Sequence, residues 1–344
     1  MTHGDFSTQF KVNESRVYPL IDTHTHFDAP VFDQDRAALI QKAYDEGVHH
    51  LVLVGYVYRH FERMYDIKQL YSQPINDHEQ GQILSQRSMQ QAVPQFIQQG
   101  ISKDEAGTNI HIALGLHPFY IEKHSEAHLE AMAKMVAKNR PIAIGEIGLD
   151  TFTAAMKEPE VFAKQKRFFR AQLDMAVAHQ LPVMLHIRKA HAEALAILKA
   201  HDYEAKKLGG IAHSFSGGVQ EAKAFVKLGF KLGVTGQVTN PNAKKLRSAI
   251  QAAVAEYGIE CLVIETDCPD MIPIMCRTTT EDSSALEQKD SHTSISTQDR
   301  NEPANLPWVL HSLSDLLDVS SDVLAKQLWH NSCSALQMTW NYPK

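Results

Sequence analysis

Short apolar runs alternate with amphipathic, helix-length segments along almost the whole chain, and this alternation constrains the fold more than any other feature. Eight runs read as strands, at 18–23, 50–55, 110–116, 141–147, 182–187, 210–214, 230–236 and 262–265. Between and after them, helices are expected at 33–46, 60–71, 125–138, 160–179, 190–201, 219–228, 242–257, 303–317 and 321–338. Near-continuous apolar strands such as Leu51-Val52-Leu53-Val54 suit a parallel sheet covered on both faces. Eight strand–helix repeats predict an α/β fold, a single closed (β/α)₈ barrel spanning 1–344. An open doubly wound sheet is the runner-up.

A chain of 344 residues with 44% hydrophobic content can bury a core of that size. Three segments fall outside the minimal barrel. Residues 1–16 form a polar tail, 72–109 is a Gln-rich insertion with a helix expected at 83–98, and 277–299 is almost wholly polar. The last follows the eighth strand, so it leaves from the rim where barrels of this kind place their active sites. A passive loop is the simpler reading and a mobile lid the alternative.

His24 and His26 stand two apart at the end of the first apolar run, and residues i and i+2 of a strand face the same way. Four other strand-like runs also end in, or are followed by, a metal-competent residue: Glu146, His186, His213 and Asp267. These residues, from strands one, four, five, six and eight, converge easily only if the sheet closes, which disfavours the open sheet. Four imidazoles and two carboxylates exceed what one tetrahedral zinc takes. They suit two divalent ions sharing a carboxylate, with Glu146 the candidate bridge because it comes from the middle of the strand order. Such a pair can activate water and stabilise attacking and leaving oxygens. Asp267 is the candidate to ligate and to accept the proton of the attacking water, ionised because a cation holds it.

Around this set, Arg188 lies two residues beyond His186 and either grips a substrate phosphate or pairs with a rim carboxylate. His117 either faces substrate or stabilises the turn at Pro118. Asp150 either orients a ligand histidine from behind or forms a turn. The other histidines, among them His49, His50, His78, His128 and His311, read as surface or helix residues.

Taken in order, Asp22-Thr23-His24-Thr25-His26, Gly115-Leu116-His117-Pro118, Gly145-Glu146-Ile147-Gly148-Leu149-Asp150, His186-Ile187-Arg188, His213-Ser214-Phe215-Ser216-Gly217, Glu265-Thr266-Asp267-Cys268-Pro269 and Arg300-Asn301-Glu302-Pro303 resemble the TatD family of metal-dependent deoxyribonucleases. The resemblance implies a barrel that hydrolyses phosphodiester bonds with two metal ions, typically Mg²⁺ or Mn²⁺, often trimming single-stranded DNA from a 3′ end. It carries ligand roles onto His24, His26, Glu146, His186, His213 and Asp267. The chain departs from the family at Thr151-Phe152, where aromatic residues are usual, and at Ser214, where cysteine is common; the two insertions are also long.

The donor set alone admits Zn²⁺, Mn²⁺ or Fe²⁺ as well. The net charge of −6 offers no basic track for a nucleic-acid backbone, which keeps open an amidohydrolase or lactonase acting on a small C–N or C–O bond. A non-catalytic partner-binding barrel is disfavoured by the intact ligand set. Cys261, Cys268, Cys276 and Cys333 form neither a disulfide framework nor a zinc pattern, and no run approaches the roughly 20 apolar residues of a membrane span. A cytoplasmic protein with reduced thiols and no membrane partner is therefore expected, a monomer being the simpler state.

Overall fold

Eight parallel strands pair in the order of the chain, each with the next, in the computed structural model, which describes residues 16–71, 107–277 and 300–343. They are β1 (Leu20–Thr25), β2 (Val48–Val54), β3 (Asn109–Leu114), β4 (Ala143–Asp150), β5 (Val183–Arg188), β6 (Ile211–Ala212), β7 (Lys231–Val234) and β8 (Leu262–Ile264). Hydrogen bonds from Asp267 N to the His24 carbonyl (2.9 Å), from His26 N to the Cys268 carbonyl (2.9 Å) and from Thr23 Oγ1 to the Ile264 carbonyl (3.0 Å) draw the two ends of the sheet together. The result is a nearly closed (β/α)₈ barrel.

The period-two pattern of the strands sorts their side chains into two cores. Leu51 and Leu53 of β2 pack outward with Phe61, Met64 and Ile67 of the following helix (Phe61–Tyr71). Val52 and Val54 pack inward with Ala113, Ala143, Met184, Ile211 and Val263. The barrel is therefore filled rather than hollow. Ala335 and Leu336, at the end of the last helix (Ser321–Leu336), join this inner core, with Met338 and Trp340 packed against it.

Every expected strand is present, with shifted limits. β4 runs on to Asp150, so Glu146 stands mid-strand instead of ending it, and β6 is only two residues long, so His213 lies just beyond it. The helix expected at 303–317 begins with a 3₁₀ turn (Pro303–Asn305) before its α-helical part, Leu306–Leu317. A short helix at Ala205–Leu208 was not anticipated. The expected helix at 83–98, most of the 277–299 loop and nearly all of the polar tail lie outside the described residues. His50 is a correction: it is buried on β2 with Nδ1 2.9 Å from Nε2 of His111 on β3, both rings packed on Trp340.

No helix among the described residues is long and apolar enough to cross a membrane. The four cysteines are free.

Candidate metal centre

Two buried glutamines on the long helix between β4 and β5 (Pro159–His179) anchor the rim where the candidate ligands meet. Seven residues separate Gln165 and Gln172, so they share a helix face. Gln172 bonds both backbone groups of Leu116 (2.7 and 3.3 Å), and Gln165 does the same for Asp150 (2.8 and 2.9 Å). Each fixes a strand end without a second strand, satisfying backbone groups that are otherwise buried and unpaired. Gly115 lets these ends pass closely, because a Cβ there would sit 2.4 Å from the backbone nitrogen of Glu146.

Glu146 occupies the middle of the cluster, almost fully buried. Its Oε2 lies 3.3 Å from His24 Nε2 and 3.4 Å from His26 Nε2. Its Oε1 lies 2.6 Å from His186 Nδ1, 3.2 Å from His117 Nε2 and 3.5 Å from His213 Nε2. Asp267 comes within 3.8 Å of His24, 3.9 Å of His26 and 3.6 Å of His213. All six residues proposed from the sequence as ligands are thus brought to one place. Asp267 reaches it through a left-handed backbone (φ 54°), a conformation aspartate tolerates better than most residues.

Backbone partners settle two tautomers. The Val54 carbonyl can only accept, so His26 donates to it from Nδ1 (3.0 Å) and turns Nε2 toward Glu146 and Asp267, where the neutral ring presents its lone pair. Phe119 N can only donate, so Nδ1 of His117 accepts (2.9 Å) and the ring proton sits on Nε2. Neutral His117 therefore presents a donor to the pocket, not a lone pair. It both stabilises its turn and faces the site.

The electrostatics are those of a place built for a cation. Burial alone would raise the carboxyl of Glu146, but the imidazoles of His117, His213, His24 and His186 hold it well below the usual carboxylate range. Burial, reinforced by the carboxylates of Glu146, Asp270 and Glu265, holds Asp267 well above that range. The expected ionised Asp267 thus depends on added positive charge. His186, against the penalty of burial, is raised to about 9 by Glu146 and Asp150. Burial pushes His24 down to about 4 and His213 to about 3. Among the described residues, neither ring nitrogen of His24, nor Oε2 of Glu146, has a hydrogen-bond partner, although all are buried. Orphaned polar atoms of this kind are costly, and a divalent cation would satisfy the lone pairs among them. The donor set, imidazole and carboxylate, fits such an ion.

Among the described residues, three trios bring ligand atoms within 4.8 Å of one another: His24, His26 and Asp267; His24, His213 and Glu265; and His117, Glu146 and His186. The tautomer of His117 makes the last trio the weakest as a three-ligand site.

Behind the cluster, Asp150 Oδ2 meets His186 Nε2 at 3.0 Å, while its Oδ1 accepts from Phe152 N at 2.7 Å, so both roles considered for Asp150 are present. Arg188 has a partner that neither reading foresaw: its guanidinium carbon lies 3.4 Å from the centre of the Phe152 ring.

Glu265 and Asp22, neither of them among the residues expected at the site, also belong to it. Glu265 Oε1 lies 2.9 Å from His213 Nδ1 and accepts from Ser214 N, in space that a Cβ on Gly233 would fill. Asp22 accepts from Thr266 N (2.9 Å) and Thr266 Oγ1 (2.5 Å), fixing the turn that carries Asp267. Burial pushes both carboxyls up to about 7. For Asp22 a signal is present in the sequence, since it stands two residues before His24 on the same face of β1; Glu265 lies beyond the end of β8, where strand alternation no longer applies. Asn301 holds this turn from outside, its Nδ2 donating to the Thr266 carbonyl (2.9 Å), while the neighbouring Arg300 pairs with Asp35.

Comparison with known proteins bears on this arrangement. The sequence pattern of the family described as "TatD related DNase" matches residues 21–337. A protein of Escherichia coli K12 named as the uncharacterized metal-dependent hydrolase YjjV is 34% identical over 253 residues, covering 73% of this chain and 80% of the relative. A protein of Pantoea named as the 3′-5′ ssDNA/RNA exonuclease TatD is 30% identical over 219 residues, covering 63% and 74%. The crystal structure of E. coli YjjV, described as a TatD homologue, superposes with a TM-score of 0.67 at 29% identity, covering 93% of this chain and 98% of that one.

Proposed function

The chain belongs to the TatD-related DNase family, and from that premise we propose that it is a divalent-metal-dependent nuclease hydrolysing phosphodiester bonds in DNA strands, single-stranded or at 3′ ends. The observation that carries this reading is the division of labour at Glu146. Its Oε2 serves His24 and His26 while its Oε1 serves His186 and His213, the disposition of a carboxylate shared between two ions. On this reading His24, His26 and Asp267 would hold one divalent ion and His186 and His213 a second, Glu146 would contribute to both, and Mg²⁺, Mn²⁺ or Zn²⁺ are the candidates.

Bound cations would supply the Lewis acidity that makes water a competent nucleophile near neutral pH and offsets charge on phosphate oxygens. Asp267, ionised once the cations are bound, would accept the proton of the attacking water on its carboxylate. His117 directs its Nε2–H at a phosphate oxygen and Arg188 holds the phosphate from the rim. Asp150 fixes the ring of His186 so that Nδ1 faces the centre. Glu265, with Oε1 2.9 Å from Nδ1 of His213, faces the corresponding edge of that ring.

The test is to incubate metal-stripped protein with single-stranded DNA and restore Mg²⁺ or Mn²⁺ separately. Cleavage that returns only with metal supports the reading. Metal-independent cleavage, or none on any nucleic acid, rejects it.

A further inference from the structure

Phe152 leaves 44% of its surface exposed, yet it stands beside the candidate centre. Its backbone N–H donates to Asp150 Oδ1 (2.7 Å), and the other oxygen of that carboxylate holds His186 (3.0 Å). The ring is thus one side chain removed from a candidate ligand. Two cations gather on it: the Arg188 guanidinium carbon lies 3.4 Å from the ring centre and Lys189 Nζ lies 4.5 Å from it.

The backbone is arranged to allow this. Lys189 adopts a left-handed conformation (φ 56°), which most side chains avoid. Thr151 secures the bend, its N–H donating to the Arg188 carbonyl (3.0 Å) and its hydroxyl to the Lys189 carbonyl (2.8 Å). Shielding of an exposed ring accounts for one stacked arginine. It does not account for a second cation brought in by a strained residue at the rim of a phosphodiesterase pocket, in a chain whose net charge is −6.

We propose that Phe152, Arg188 and Lys189 form a subsite for the nucleotide adjoining the scissile bond, the base lying on Phe152 and its phosphate facing the two cations. The inference rests on the nuclease reading above and adds to it a basis for substrate choice. A base can lie on Phe152 only if it is unpaired and unstacked, so the subsite selects single strands. It also supplies locally the positive charge that the overall composition lacks. Stacking of this kind is indifferent to sequence, because every base has a π face.

The experiment compares kcat/KM on a single-stranded oligonucleotide with kcat/KM on bis(4-nitrophenyl) phosphate, which has no base, for wild-type protein, Phe152→Ala and Phe152→Trp. Phe152→Ala is expected to lower the oligonucleotide-to-small-substrate ratio about 5- to 150-fold, mostly through KM, as the loss of one base–aromatic stack does. Phe152→Trp is expected to restore it. A ratio unmoved in Phe152→Ala, while the wild type cleaves the oligonucleotide, overturns the subsite and leaves the nuclease reading standing. A wild type inactive on every oligonucleotide overturns the nuclease reading, and the subsite with it.

Discussion

Asp150 Oδ2 lies 3.0 Å from Nε2 of His186, and the opposite edge of that imidazole meets Glu146. A ring pinned on one edge presents the other in a fixed direction. Asp150→Asn should therefore weaken metal binding about 10- to 100-fold while keeping an acceptor for Phe152 N. Metal titration followed by calorimetry checks this. Unchanged affinity would mean that His186 is oriented by Glu146 alone.

Glu146→Ala removes the carboxylate shared by the two sets of imidazoles. Metal content and turnover should fall together, kcat/KM by at least ~10²-fold, since even outer partners of a metal site cost 10–100-fold. Elemental analysis beside the nuclease assay tests this. Full metal occupancy in the variant would contradict the bridging role.

Asp267→Asn keeps the shape of the side chain and removes its capacity to take a proton. A loss of about 10²–10⁴-fold in kcat is expected, with the fold intact by circular dichroism. Should turnover persist at the wild-type rate, another group accepts the proton.

Arg188→Ala should raise KM for DNA about 10- to 100-fold, the worth of a charge-assisted hydrogen bond, with metals still bound. An unmoved KM rejects the phosphate role.

The pair His50 and His111 makes stability depend on pH at the end of the barrel away from the metal centre. Burial holds His50 down to about 4 and His111 to about 3, whereas in the unfolded chain both titrate near 6.5. Above that value neither state binds the proton. As pH falls through it, the unfolded chain takes up protons that the folded chain refuses, so stability drops from about pH 6.5 toward the folded values. The Tm of metal-free protein should fall between pH 7.5 and pH 5, and less steeply in His111→Gln. Equal slopes in the two proteins would exonerate the pair.

The strand–helix rhythm, the apolar strands and the His-x-His spacing are local properties of the chain, and they sufficed to predict a barrel and to collect six metal-competent residues on one rim. Period-two alternation does the same for faces, and from His24 it points to Asp22 on the same face of β1, whereas Glu265 and Asp267 lie past the end of β8, beyond its reach. Tertiary structure decided what depends on groups distant in sequence. The proton of His117 sits on Nε2 because Phe119 N occupies Nδ1, and that of His26 on Nδ1 because Val54 lies across the sheet. His50 is buried because His111 and Trp340 close over it, although its own neighbourhood reads as a strand edge. Gln165 and Gln172 carry no pattern of their own, since a helix position tells which face a residue takes but not which strand end it will meet. Arg188 lies on Phe152 for the same reason: the end of β5 and the loop leaving β4 are neighbours through the parallel pairing of those strands.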